Sequence, residues 1–331
     1  MNAFGIDLGS SNIKIYNASD DTYFMEKNMI AIKGRDTLFA YGDSAFDMYE
    51  KAPEDITVSY PVVNGVIADI NNMNTLIHYF VNDLSKNGIR PADYYIAVPT
   101  DVTEVERRAF LDLIRDSNVK ARRIFVVEKA LADGLGMDID VKTSRGVLVV
   151  DVGFDTTEIS LLSLGGIVLS RLIKVGGSKF DEDIKAAVRR EYSLVIGSKT
   201  SEKLKIIMRE VEAHNKNAVV YGMDILNGLP VQKAISTELL QDSLKEHFSM
   251  IVDNVHQILE RTPPELGADI YRHGIYLTGG ASQVGHLAEL IRVSTGLRVN
   301  VAKEPIASVV KGLYTMIHDT RFATLATENG K

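Results

Sequence analysis

Apolar residues gather in short runs along this chain, and two of the runs have the same shape. Phe4 to Leu8 enters a polar turn at Gly9-Ser10-Ser11-Asn12, and the chain then continues through Ile13, Ile15 and Tyr16. Val147 to Val152 enters a turn through Gly153, Thr156, Thr157 and Glu158, and continues through Ile159 and Leu161. Each stretch reads as two strands joined by a glycine turn, with an acidic residue, Asp7 or Asp151, at the end of the first strand. When Asp7 is laid on Asp151, Gly9 falls on Gly153. A repeat at this spacing points to two related half-domains rather than a short-period solenoid.

The rest of the pattern alternates strands with helices. Residues 1–32 carry the first hairpin and a third strand, and Asn64-Gly65 is a turn. Ile77, Phe80, Val81 and Leu84 recur at helical spacing and predict a helix over 72–86. A strand from Tyr94 to Val98 closes at Pro99. Thr103-Glu-Val-Glu106 is a capping box opening a helix to about Ser117. A strand over 124–127 leads into a helix over 128–137. After the second hairpin come a strand near 167–174, Gly176-Gly177, a helix from Asp181 and another capped by Thr200. The last has Leu204, Ile207, Met208 and Val211 as its stripe. Two short strands in 218–235 precede one long helix from about Thr237 to Glu260, ending before Pro263-Pro264. A strand runs into Thr278-Gly279-Gly280, followed by helices over 282–295 and 305–318. From about Thr320 the tail is polar and reads as loose.

This order gives an α/β fold with two sheets, one per repeat. Residues 1–145 form the first lobe, with a small inserted subdomain at about 33–60. Residues 146–318 form the second, with an insertion at about 181–235. The last helix, 305–318, folds back on the first lobe, and 319–331 are the polar tail. The length, 331 residues, is too great for one ordinary core and agrees with two lobes.

Composition narrows the chemistry. The net charge is −7 with interspersed signs, which argues against a nucleic-acid partner. The absence of cysteine excludes disulfides and thiolate catalysis, and the seven histidines show no metal-ligand spacing. The N-terminus has no leader pattern, so a cytoplasmic location is expected. No apolar run is long enough to span a bilayer.

A glycine turn uncovers backbone N–H groups, and several together bind phosphate oxygens. The donors would be Gly9, Ser10, Ser11 and Asn12 in the first turn, and Gly153, Thr156 and Thr157 in the second. Asp7 and Asp151 are placed to hold a hydrated Mg²⁺, which prefers few carboxylates and several waters. Thr278, Gly279 and Gly280 offer a third close backbone approach, suited to a sugar and base, and Gly176 and Gly177 join the candidate set. A single Asp-x-Gly is more often a plain hairpin turn. Two copies in one strand context, with the Thr-Gly-Gly turn, favour a nucleoside triphosphate site between lobes.

Asp7-Leu-Gly-Ser-Ser-Asn12, Asp151-Val-Gly-Phe-Asp-Thr-Thr-Glu158 and Leu277-Thr-Gly-Gly280 resemble the phosphate-1, phosphate-2 and adenosine motifs of the actin, sugar-kinase and Hsp70-type ATPase superfamily. Within it the chain resembles the MreB family as a divergent member. Pro61-Val-Val-Asn-Gly-Val-Ile-Ala-Asp69, Ser163-Leu-Gly-Gly-Ile-Val168 and Leu259-Glu-Arg-Thr-Pro-Pro-Glu-Leu266 carry that likeness, the last without any nucleotide chemistry. The resemblance implies an actin-like ATPase fold, ATP or ADP with Mg²⁺ as cofactors, and assembly with itself into filaments that guide cell shape and cell-wall synthesis. It adds MreB paralogues and the cell-wall synthesis machinery as partners, and the inner face of the cell membrane as a place of action. It also assigns Glu202 and Lys205 to the adenine and ribose; on spacing alone they are an ordinary exposed helix pair.

Departures from the family fall where the γ-phosphate would sit. Phe154 and Asp155 replace glycines of the phosphate-2 turn, adding bulk and negative charge. Lys129 stands at the position of the family's water-orienting glutamate, with Glu128 one residue away, so slow or absent hydrolysis is expected. Lys14 stands where the family usually has an apolar residue; it is either a β/γ-phosphate ligand or an exposed strand lysine. The loop Ser85 to Ala92 offers only Ile89 as an apolar tip, too little for a membrane anchor. Two other readings remain: a non-hydrolysing paralogue that co-assembles with an active relative, and a small-molecule kinase on the same fold. A chaperone ATPase would need a further peptide-binding domain.

Overall fold

The computed structural model describes residues 2–86, 88–211 and 217–328. The side chains of 209–211 lie outside this description, as do Asn87 of the 85–92 loop, Val211 of the predicted stripe and the last three residues of the tail.

Two sheets carry the two repeats in the same strand order. In the first, Ala3–Leu8 pairs antiparallel with Asn12–Asn17, which pairs with Thr22–Lys27. On its other side Ala3–Leu8 pairs parallel with Ala92–Val98, and that strand with Ala121–Glu128. In the second sheet Val147–Val152 pairs antiparallel with Thr157–Ser163 and parallel with Ile275–Thr278, which Val299–Val301 extends. Gly166–Ile173 completes it beside Thr157–Ser163. The central strands of both sheets are buried along their length, as expected where both faces are covered.

Helices Lys129–Gly136 and Ser308–His318 lie between the sheets. Their core joins Ala3, Tyr16 and Val127 of the first sheet to Val147, Val149 and Leu162 of the second. The helices cross closely because glycines face backbone. A side chain at Gly312 would run into the Ala132 carbonyl, and one at Gly136 into Ser308. Smaller sheets sit outside: Thr37–Tyr41, Ile30–Lys33 and Ile56–Ser59 in the first half, and Leu194–Val195, Asn217–Asp224 and Pro230–Ser236 in the second.

Several helix boundaries differ from the sequence pattern. The helix expected from Asp181 begins at Gly177, with Gly176 as a cap whose backbone is extended and has no side chain to signal it. The helix expected from Thr200 begins at Ser198. The single helix expected over 237–260 is two, Thr237–Ser243 and Lys245–Arg261, broken at Leu244 without glycine or proline. Pro264 does not merely stop a helix; it opens Pro264–His273, using the first-turn position where its missing N–H costs nothing. The helix expected from Ser282 starts at Leu287, after a 3₁₀ turn and a left-handed His286. Likewise 305–307 form a 3₁₀ turn before the last helix. The tail is not wholly loose, because Ala326–Glu328 adds an antiparallel edge strand to Ala121–Glu128. No helix among the described residues is long and apolar enough to cross a membrane.

Candidate functional site

The first hairpin places Asp7 directly across from Lys14. Lys14 is buried rather than exposed, and its Nζ lies 2.9 Å from Asp7 Oδ2. The turn is tight at Gly9, where an added Cβ would sit 2.6 Å from the Asn12 carbonyl oxygen. Asn28, fully buried at the end of the third strand, pins this turn. Its Nδ2 donates to the Gly9 carbonyl at 3.0 Å and its N–H to the Ser11 carbonyl at 2.9 Å.

The second hairpin places Asp151 across from Glu158. Here the turn is held from the helix at 177–192: Gly177 N–H donates to the Gly153 carbonyl at 3.0 Å and Ser178 N–H to the Phe154 carbonyl at 2.7 Å. That approach explains Gly176, whose Cβ would come within 2.6 Å of both carbonyl oxygens. Thr157 does not face the cleft; it is fully buried and donates to the Val175 carbonyl at 2.8 Å. Phe154 and Asp155 are engaged by the opposite half. The Phe154 ring lies 5.8 Å from that of Tyr60, and Asp155 Oδ2 accepts the Asn64 N–H at 2.9 Å. The Asp155 charge is therefore drawn to the Asn64-Gly65 turn.

Lys129, first residue of its helix, is ion-paired with Asp151 Oδ2. Burial alone would lower its pKa, but Asp151, Asp133, Asp7 and Glu158 more than offset this and hold the ammonium above its usual range. The same burial pushes Asp133 well above the carboxylate range and Glu158 up to about 7, against the opposing pull of Lys129. Glu158 also accepts a hydrogen bond from Thr100. Glu128 turns away to pair with Arg107 and does not line the cleft.

The third approach comes at Gly279, whose φ of +87° suits glycine and whose Cβ would collide with Asp151 Oδ1 and the Val152 carbonyl. Gly279 and Gly280 line the cleft. Thr278 does not, since its hydroxyl is buried against the Pro305 carbonyl and Ser308. Glu202 and Lys205 both line it but do not pair with each other. Glu202 meets Lys27 at 3.0 Å, and Lys205 meets Asp181 at 2.7 Å and the Gly177 carbonyl at 3.0 Å. Burial pushes Asp181 up to about 6 despite that lysine.

One cleft of about 230 Å³ thus collects Asp7, Gly9, Ser10, Ser11, Asn12 and Lys14 from the first turn. From the other half it collects Asp151, Gly153, Thr156, Gly177, Glu202, Lys205, Gly279 and Gly280, with Lys129 between. A larger groove of about 780 Å³ beside Tyr314 and Lys311 has neither turn. Sequence reasoning missed Asn28, Asp133, Lys27 and Asp181. Asp133 could have been found, four residues after Lys129 on one helix; the Asp181–Lys205 contact has no local signature. The two carboxylates assigned to Mg²⁺ each face an ammonium, Asp7 that of Lys14 and Asp151 that of Lys129, a donor set that fits the cation poorly.

A family profile described as MreB/Mbl protein matches residues 1–324. The cell shape-determining protein Mbl of Bacillus subtilis (strain 168) is 33% identical over 318 residues, 95% of this chain and 95% of that protein. The cell shape-determining protein MreB of Escherichia coli (strain K12) is 32% identical, over 94% of this chain and 92% of its own. Among solved structures, MreB5 of Spiroplasma citri bound to ADP superposes with a TM-score of 0.90 at 32% identity, covering 98% of both chains. The same MreB5 has also been crystallised with AMPPNP. A MamK double helical filament superposes at a TM-score of 0.79 and 20% identity over 96% of this chain and 99% of that one, a likeness of fold alone.

Proposed function

The chain belongs to the MreB/Mbl family, and from that premise we propose that it is a nucleotide-binding cytoskeletal protein that assembles with itself and hydrolyses ATP slowly. The carrying observation is the convergence of both hairpin turns and Gly279-Gly280 on one cleft. Gly9, Ser10, Ser11, Asn12, Gly153 and Thr156 are the phosphate-side residues, with Lys14 beside Asp7. Gly177, Glu202, Lys205, Gly279 and Gly280 form the opposite wall, where base and ribose would rest. The ADP and AMPPNP held by MreB5 support a nucleotide here.

Slow hydrolysis follows from the charges. Attack by water needs a group to orient it and accept its proton. Lys129 is a charged donor already committed to Asp151. Asp133, one turn along the same helix, is held toward its protonated form by burial. Co-assembly with a hydrolytically active relative is the second reading, favoured by the same lysine. A kinase reading is disfavoured because the family match extends through segments without nucleotide chemistry. The proposal includes action in shape determination at the inner membrane face, with the cell-wall machinery, a reading that family membership supports.

Electron microscopy of the purified chain with ATP, with ADP and without nucleotide tests assembly. Filaments in at least one nucleotide are expected; none in any condition would sink the homopolymer reading. Single-turnover assays should show faster hydrolysis in Lys129→Glu than in the wild type.

A further inference from the structure

Lys129 places an ammonium against Asp151, one of the two carboxylates assigned to Mg²⁺. Its Nζ is paired with Asp151 Oδ2, and Asp133, Asp7 and Glu158 surround it. On the facing hairpin, Lys14 Nζ lies 2.9 Å from Asp7 Oδ2, with both side chains no more than one-tenth exposed. The two ammoniums come from different elements, a strand and a helix start, yet both project into the same cleft. A Mg²⁺ entering between them would have to displace an ammonium from a carboxylate, and would be repelled by both ammoniums in a poorly screened site. A polyphosphate brings the opposite charge. A lysine meets phosphate as a compact point charge, and its stem is flexible enough to swing from carboxylate to phosphate oxygen.

We propose that this cleft binds nucleoside di- and triphosphates without requiring a divalent cation, Lys129 and Lys14 supplying the counter-charge that Mg²⁺ would bring. The inference rests on the nucleotide-binding reading above. It makes Lys129 a determinant of metal dependence rather than only a lost catalytic position.

Calorimetric titration of ADP into the full chain, in Mg²⁺ and in excess EDTA, tests it. The wild-type Kd should change by less than about threefold between buffers, whereas Lys129→Glu should bind about tenfold or more weakly in EDTA than in Mg²⁺. Lys129→Met, which keeps the stem without the charge, should move in the same direction, and thermal unfolding checks that each variant is folded. If the variants do not fold, the wild-type ratio alone decides. A wild-type loss of about tenfold or more in EDTA overturns the inference while leaving nucleotide binding intact. So does a Lys129→Met or Lys129→Glu ratio equal to that of the wild type. Absence of ADP binding by the wild type in both buffers overturns the nucleotide reading, and this inference with it.

Discussion

The two hairpin turns share strand order, an acidic residue at the same place and a glycine two residues later, yet they neutralise that acid differently. In the first, the residue across the ladder from Asp7 is Lys14, so the cation comes from the hairpin itself. In the second, the residue across from Asp151 is Glu158, a second acid, and the cation arrives from the helix at Lys129. The first turn is pinned by Asn28, which follows directly in its own meander. The second is held by the 177–192 helix and by Tyr60 and Asn64 of the opposite half. A repeated motif fixes where an acid sits, not how its charge is balanced. The second turn depends on tertiary neighbours.

The largest expected effect comes from removing the imported cation. Lys129→Ala leaves Asp151 buried beside Asp133 and Glu158 and should cost about 4 kcal/mol in denaturant unfolding. Adding Asp151→Asn to it should recover much of the loss. A cost below about 1 kcal/mol would show that the second turn does not rely on Lys129.

Next comes the residue across from Asp151. Glu158 has a folded pKa raised from 4.5 to about 7, chiefly by burial. Between those values the folded chain keeps a proton that the unfolded chain has released. Its contribution is therefore fully present below pH 4.5 and is lost as pH rises through about 7. Glu158→Gln should be stabilised relative to wild type as pH rises, by up to about 3 kcal/mol above pH 7, with little difference at pH 4. Melting curves across that range check it, and a constant difference at all pH values would contradict the assigned burial.

The smallest contrast is between the glycines. An added Cβ would approach the Asn12 carbonyl oxygen at 2.6 Å from Gly9 but the Thr156 carbonyl oxygen at 3.0 Å from Gly153. Gly9→Ala should cost about 2 kcal/mol and Gly153→Ala about 1 kcal/mol in thermal unfolding. The reverse order would show that the second turn is the less yielding of the two.

What the sequence determined by itself was local and periodic. The alternation through both hairpins, the helical stripe over 77–84 and the capping box at Thr103–Glu106 each act within a few residues, and all are present in the fold. The strand-end positions of Asp7 and Asp151 were legible for the same reason. Tertiary structure decided the rest. Leu244 breaks a helix with no local breaker, and Thr157 and Thr278 turn their hydroxyls inward to carbonyls supplied by distant chain. Asp155 meets Asn64, Lys205 meets Asp181, and Lys129 meets Asp151, each across tens of residues. Periodicity says which face of an element is buried. Only packing says which charges share that burial, and in a poorly screened cleft those neighbours fix what each group can bind.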